Sequence, residues 1–289
     1  MKKLIYITFL GLILLTSCAE RIDFDLNSGE NNRLVVEGSI TDELKIQTVK
    51  LTRSISYFYN EAAPKEFDAN VTISDNSNVY TLTDPDRDGI YSTETAVAGT
   101  PGKNYTLNIK LKNGELFSAE SFMKPVGSMD SLRYDYVEEF GMGGKQIWNY
   151  NVYLYAAESP ILGDCYLWDM YIDNKIDSDT LREKMFVEDA NVNGNYIKEF
   201  GLFKLEDKDI TKDTTEIEIK MSSISKPEYD HHTSLMMETD YKGSPFDGPP
   251  ANVPTNITNN GLGFFSANSV TSKKIKIIKG QNPTYWEKK

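Results

Sequence analysis

Cysteine and histidine are the scarcest reactive residues in this chain of 289, with two of each: Cys18 and Cys165, His231 and His232. Two cysteines exclude a disulfide framework, and no C-x-x-C or H-E-x-x-H spacing offers a zinc site. The histidines are adjacent, and neighbours on a helix point about 100° apart, so they do not converge on one ion as an i, i+4 pair does. One packed and one solvated imidazole is the simpler reading. There is no G-x-S-x-G elbow and no histidine in a recognisable triad context, so no nucleophile and base pair is legible. Basic clusters are missing as well. The 31 Lys and Arg face 43 Asp and Glu, a formal charge of -12, and the brief Lys273-Lys274-Ile275-Lys276 alternates like a strand with a solvated face rather than a phosphate grip. Nucleic acid is not an expected partner. Past the first residues no apolar run reaches the roughly 20 residues a membrane helix needs.

The one hydrophobic run present is N-terminal. Lys2 and Lys3 precede a mostly apolar segment from Leu4 to Leu15, and polar Ala19-Glu20-Arg21-Ile22-Asp23 follows, the layout of a signal rather than a span. Its end, Leu15-Thr16-Ser17-Cys18, places a small residue before a cysteine with Leu three positions upstream, the pattern of a bacterial lipobox. Residues 1–17 therefore read as a cleaved lipoprotein signal peptide and Cys18 as the lipidated residue, making a membrane lipid anchor the first partner. Losing the two lysines takes the remainder to about -14, which suits solubility. Cys165 is then unpaired; within Gly163-Asp164-Cys165-Tyr166-Leu167-Trp168 it reads as a buried small hydrophobe.

Residues 18–33 are polar, with Asn27, Ser28, Gly29, Asn31 and Asn32, and suit a tether. From 34 to 124 short alternating segments recur at 34–40, 46–53, 69–74, 78–83, 104–111 and 115–122, separated by Asp84-Pro85, Asp88-Gly89, Pro101-Gly102 and Asn113-Gly114. This predicts an immunoglobulin-like β-sandwich, with Asn113-Gly114 the firmest hairpin. Pro125, Gly127 and Ser128 break the rhythm and open a second β-rich domain over 125–289, with longer, aromatic-rich strands at 131–137, 147–157, 165–172, 196–203, 215–222 and 274–278. One short helix is expected near 226–239, where Ser225 can cap, Pro227 suits the first turn, and Tyr229, His232, Leu235 and Met236 recur at helical spacing. A loop rich in Pro, Gly and Asn follows over 243–263. The fold class is mainly β.

Three constellations could carry function. Asp84, Asp86 and Asp88 have the D-x-D-x-D-G spacing of a calcium loop. The position of the bidentate Glu falls on Thr95, and no helix pattern flanks it, so a plain acidic hairpin is the favoured reading, with calcium the alternative and no other cofactor expected. Tyr134, Tyr136, Trp148, Tyr150, Tyr153 and Tyr155 alternate on strands, so an outward set could stack on a glycan or peptide ligand, or they fill the core. The C-terminal loop is the third: Pro245, Phe246, Pro249, Pro250, Asn252, Asn256, Gly261, Gly263, Phe264 and Phe265. It reads either as a rigid clasp, its aromatics anchored on the second domain, or as a partner surface, and the clasp is preferred.

The same loop, Ser244 to Val253 with Thr255-Asn256-Ile257 and Gly261-Leu262-Gly263-Phe264-Phe265-Ser266-Ala267, resembles the signature of the Bacteroidota outer-membrane lipoprotein family known as domain of unknown function 4249. The lipobox, the opening strand Leu34-Val35-Val36-Glu37-Gly38 and a helix before the loop agree with it. The resemblance implies an outer-membrane lipoprotein, on the periplasmic or the cell-surface side, that serves a TonB-dependent receptor as accessory or ligand-binding partner in nutrient uptake. It supplies no catalytic residues. A non-enzymatic binding protein is thus expected, with a structural or adhesive surface protein, or a cell-surface hydrolase, as alternatives.

Overall fold

Alternation of apolar and polar side chains builds most of the strands. The computed structural model describes residues 32–55, 61–160, 162–189, 194–240 and 252–283. The first seven strands are β1 (Leu34–Thr41), β2 (Thr48–Arg53), β3 (Asn70–Ser74), β4 (Val79–Thr83), β5 (Ile90–Thr93), β6 (Asn104–Lys110) and β7 (Leu116–Phe122). In β6, Tyr105, Leu107 and Ile109 are buried while Asn104, Asn108 and Lys110 are exposed, the period-2 pattern of a half-buried strand. β6 turns into β7 at Asn113-Gly114, where Gly114 has φ +93°.

The next strands are β8 (Ser131–Phe140), β9 (Gln146–Ala157), β10 (Cys165–Ile172), β11 (Lys175–Ile176), β12 (Met185–Glu188), β13 (Tyr196–Glu206) and β14 (Thr214–Ile224). Helix α1 (Lys226–Asp240), the last strand, β15 (Leu262–Ile278), and three short 3-10 turns complete the described elements. The Ser225 hydroxyl accepts the Glu228 N–H at 3.2 Å, satisfying one of the helix's unpaired first-turn donors.

Strands β8, β9 and β13 form a three-stranded sheet, and the others join in the order β11-β10-β14-β15-β1-β2-β5-β4-β3-β6-β7, with β12 also on β10. β15 is central, antiparallel to β14 and parallel to β1. The long sheet bends back on itself: Lys124 bridges Asn268, and the Ala267 N–H donates to the Ser121 hydroxyl at 3.0 Å. The fold is mainly β and sandwich-like, with one helix.

Two main cores result. Leu51, Ile73, Tyr91, Leu107 and Met123 fill the first, together with Ile257, Phe265 and Ala267 from the C-terminal block. Tyr134, Tyr150, Leu154, Trp168, Ile217, Ile219 and Ile277 fill the second. The division falls near Pro125, yet residues 257–267 cross it and the described residues belong to one compact unit. The 17-residue β15 begins well before 274 because its middle, from Phe265 to Ser269, is buried without a break. A central strand covered on both faces shows no alternation. Full burial of a ring such as Phe265 stabilises by about 2–3 kcal/mol.

Among the described residues no helix is long and apolar enough to cross a membrane. The signal segment, Cys18 and the tether up to residue 31 lie outside the described residues.

Candidate ligand-binding groove

The outer face of the central strands lies opposite the cores. On β15, Phe265 and Ala267 enter the first core, so Ser266 and Asn268 point the other way; on β14, Ile219 and Met221 enter the second, so Lys220 and Ser222 do the same. Leu167, Asp169 and Tyr171 of β10 and Ser39 and Thr41 of β1 extend this face, and α1 walls it with Glu228, His231, His232 and Leu235. The space between is a groove of about 860 Å³, within the size range of small-molecule sites.

Most charges in the groove are matched. Lys184 pairs with Asp169, and Glu43 receives Lys220 at 2.5 Å and Lys45 at 2.9 Å. Burial pushes the Glu43 carboxyl up, but the two lysines outweigh it and its pKa lies below the ordinary value. For Lys220 burial pulls the pKa down, and Glu43 more than reverses that.

Glu228 is different. It is 4% exposed, its Oε1 accepts from Asn268 Nδ2 at 3.0 Å, and His232 Nε2 stands 3.7 Å from the same oxygen. No lysine or arginine pairs with it among the described residues. Glu228 Oε2, Asn268 Oδ1, His232 Nδ1 and Thr41 Oγ1 are buried without a hydrogen-bond partner among the described residues. Each unmade bond costs about 1–3 kcal/mol, so four around one groove call for an explanation. His231 is satisfied: its Nδ1 donates to the Pro254 carbonyl at 2.6 Å. Burial, aided by His232, lowers its pKa despite that carbonyl.

Of the C-terminal loop, Pro245, Phe246, Pro249 and Pro250 lie outside the described residues. Asn252 lines the groove. Asn256 donates to the carbonyls of Glu120 at 3.1 Å and Phe265 at 2.8 Å and accepts the Phe265 N–H at 3.0 Å. Thr258 N–H donates to the Ser118 carbonyl at 2.9 Å. Gly261 packs on Ile257, Gly263 lies against Val36, and Phe264 meets the His231 ring at 5.1 Å. The described part thus joins β7, β15 and α1. Its buried ring, Phe265, enters the first core, not the second region's core as expected, because β15 passes between the two.

Asp84, Asp86 and Asp88 are not brought together as ligands. Asp84 accepts the N–H groups of Asp88 and Gly89, each at 3.0 Å, and Asp88 accepts that of Ile90 at 2.8 Å; these carboxylates hold the turn between β4 and β5. Among the described residues, three acidic groups do converge elsewhere. Glu158, Asp164 and Asp189 place ligand atoms within 4.8 Å of one another and could hold a cation. They are separated widely in the chain, so no spacing announced them. Lys124 pairs with Asp164, Tyr166 donates its hydroxyl to Glu158 at 2.8 Å, and Asp189 accepts the Gly163 N–H at 3.1 Å. Burial, reinforced by Asp164 and Asp189, raises the Glu158 pKa. Next to them an apolar cavity of about 60 Å³ is lined by Trp168, Ile197 and Phe200.

The strand aromatics divide. Tyr134 and Tyr150 are core residues and Tyr155 is nearly buried, whereas Trp148 is 42% exposed and stacks on Tyr136 at 4.7 Å.

Fold and groove together define a mainly β, sandwich-like protein with a polar, partly unsatisfied cleft beneath its one described helix. The chain matches the family model described as Domain of unknown function (DUF4249) over residues 19–274, and it belongs to that family. A search of the curated proteins finds no match.

Proposed function

We propose that this is a non-enzymatic, ligand-binding lipoprotein of a Bacteroidota outer membrane, acting as accessory partner of a TonB-dependent transporter in nutrient uptake. The observation that carries the binding reading is the groove over β10, β14, β15 and β1, where Glu228, Asn268, His232 and Thr41 leave buried polar atoms unpaired. A bound molecule that pairs with them removes a cost the free protein bears. The anchor rests on Leu15-Thr16-Ser17-Cys18 and the transporter on the family resemblance.

Two experiments test this. Replacing Cys18 by Ser moves the protein from the membrane fraction to the soluble one; retention in the membrane overturns the anchor. Pull-down of the lipidated full chain from outer membranes in mild detergent recovers a TonB-dependent receptor; its repeated absence overturns the accessory role.

A further inference from the structure

We infer that the groove selects a ligand carrying a primary ammonium group, held by Glu228 and Asn268 beside His232 where α1 faces β15. The inference rests on the binding reading above and adds the chemistry of what is bound.

The first argument is charge. Asp169 and Glu43 in the same groove each have a lysine, while Glu228, buried between helix and sheet, has among the described residues no basic side chain nearer than His232 at 3.7 Å. A buried carboxylate is strongly favoured by a cationic partner.

The second is the sense of the missing hydrogen bonds. Asn268 spends its amide on Glu228 Oε1, which fixes the orientation of the amide and presents Oδ1 as an acceptor. Glu228 Oε2 is likewise an acceptor. His232 Nε2 stands 3.7 Å from the same carboxylate, and its Nδ1 has no hydrogen-bond partner among the described residues. The two unpaired oxygens, Glu228 Oε2 and Asn268 Oδ1, both lack a donor. A primary ammonium has three N–H donors and no acceptor. A guanidinium fits less well, since its fork uses both carboxylate oxygens and Oε1 already accepts from Asn268. A ligand carboxylate or phosphate would meet like charge. Leu235, Val253 and Phe264 offer apolar surface for the carbon chain that bears the ammonium.

The test is thermal unfolding of the full chain titrated with Nα-acetyl-lysine methylamide, beside the analogue with a hydroxyl in place of the ammonium and the Nε-acetylated form. A saturable rise in Tm with the amine is expected, and affinity at least about 10-fold weaker for the two neutral probes, as for loss of a charged hydrogen bond. Glu228→Gln removes the preference for the amine. Equal affinity for amine and alcohol overturns the ammonium inference while groove binding stands. No response to the amine at about 10 mM, a Kd beyond weak-ligand strength, overturns it too, and the receptor pull-down then judges the wider reading separately. A Tm rise with calcium chloride that Glu228→Gln abolishes, with none from the amine, marks a metal site at Glu228 instead and overturns the proposal. If Glu228→Gln fails to fold, the three-probe comparison on the unaltered protein still decides.

Discussion

Gly263 of β15 lies directly against Val36 of β1: a Cβ built on Gly263 would fall 2.0 Å from the Val36 carbonyl oxygen, and its φ is +85°. The obstacle is backbone, which cannot swing aside like a side chain, and the dihedral is one that L side chains resist. Gly263→Ala therefore strains the parallel pairing of β1 with β15, where the chain's C-terminal block joins the first core. A loss of about 3 kcal/mol or more is expected, read as a lower urea midpoint. An unchanged midpoint would show that β1 and β15 can separate at little cost.

Asn256 replaces a strand where none exists. Its side chain makes three backbone hydrogen bonds, two of them to Phe265, so it pairs with the start of β15 as a neighbouring strand would. Asn256→Ala leaves those groups unmatched and should cost about 2–3 kcal/mol. Asn256→Asp keeps the acceptor for the Phe265 N–H but turns a carboxylate oxygen toward two carbonyl oxygens, and should cost at least as much as Asn256→Ala. Chemical denaturation of the three proteins checks the order.

The strands and the helix are more legible in the sequence than either site. Alternation located β1 to β4 and β6 to β10 closely, and Ser225 with Pro227 placed α1, because these elements have one dry and one wet face or a local cap. β5 is four residues long and follows an acidic turn, so its pattern is too short to register. β15 hid its first half, since continuous burial erases periodicity. The groove was less legible. His232 and Glu228 are four apart on one helix, but their partner Asn268 comes from a strand 40 residues later, and only the sheet order brings it beneath the helix. The acidic trio of Glu158, Asp164 and Asp189 was hidden for the same reason: β10 and β12 must pair first. Asp84, Asp86 and Asp88 were more legible, because a spacing that suits calcium also suits the favoured reading, a turn whose N–H groups need acceptors.

Cys165 gives a prediction about reactivity. It is fully buried, and burial, with Glu188 nearby, pushes its thiol up to about 11. Thiolate is the reactive form, so at pH 8 the native thiol should react with an aromatic disulfide reagent at least about 100-fold more slowly than in urea. Rapid native labelling of Cys165, located by peptide mapping, would contradict its placement beneath Phe186 and Tyr229.

Asp75 supplies the acid dependence of the first core. Lys103 holds its carboxyl well below the usual range at 2.7 Å; burial opposes this, and the N–H groups of Asn78 and Ser77 add to the lowering. A group whose folded pKa is depressed contributes stability above its unfolded pKa, about 3.9, and loses it as pH falls toward the folded value. The contribution is therefore complete at neutral pH and declines below about pH 4. Asp75→Asn keeps an oxygen for the Ser77 and Asn78 N–H groups but leaves Lys103 without its partner. Its Tm should lie roughly 2–4 °C below that of the unaltered protein at pH 7, and the gap should narrow as pH drops below about 4. Thermal unfolding of both proteins across that range measures the gap, and a difference that stays constant or widens in acid would mean that Asp75 acts through its shape and not its charge.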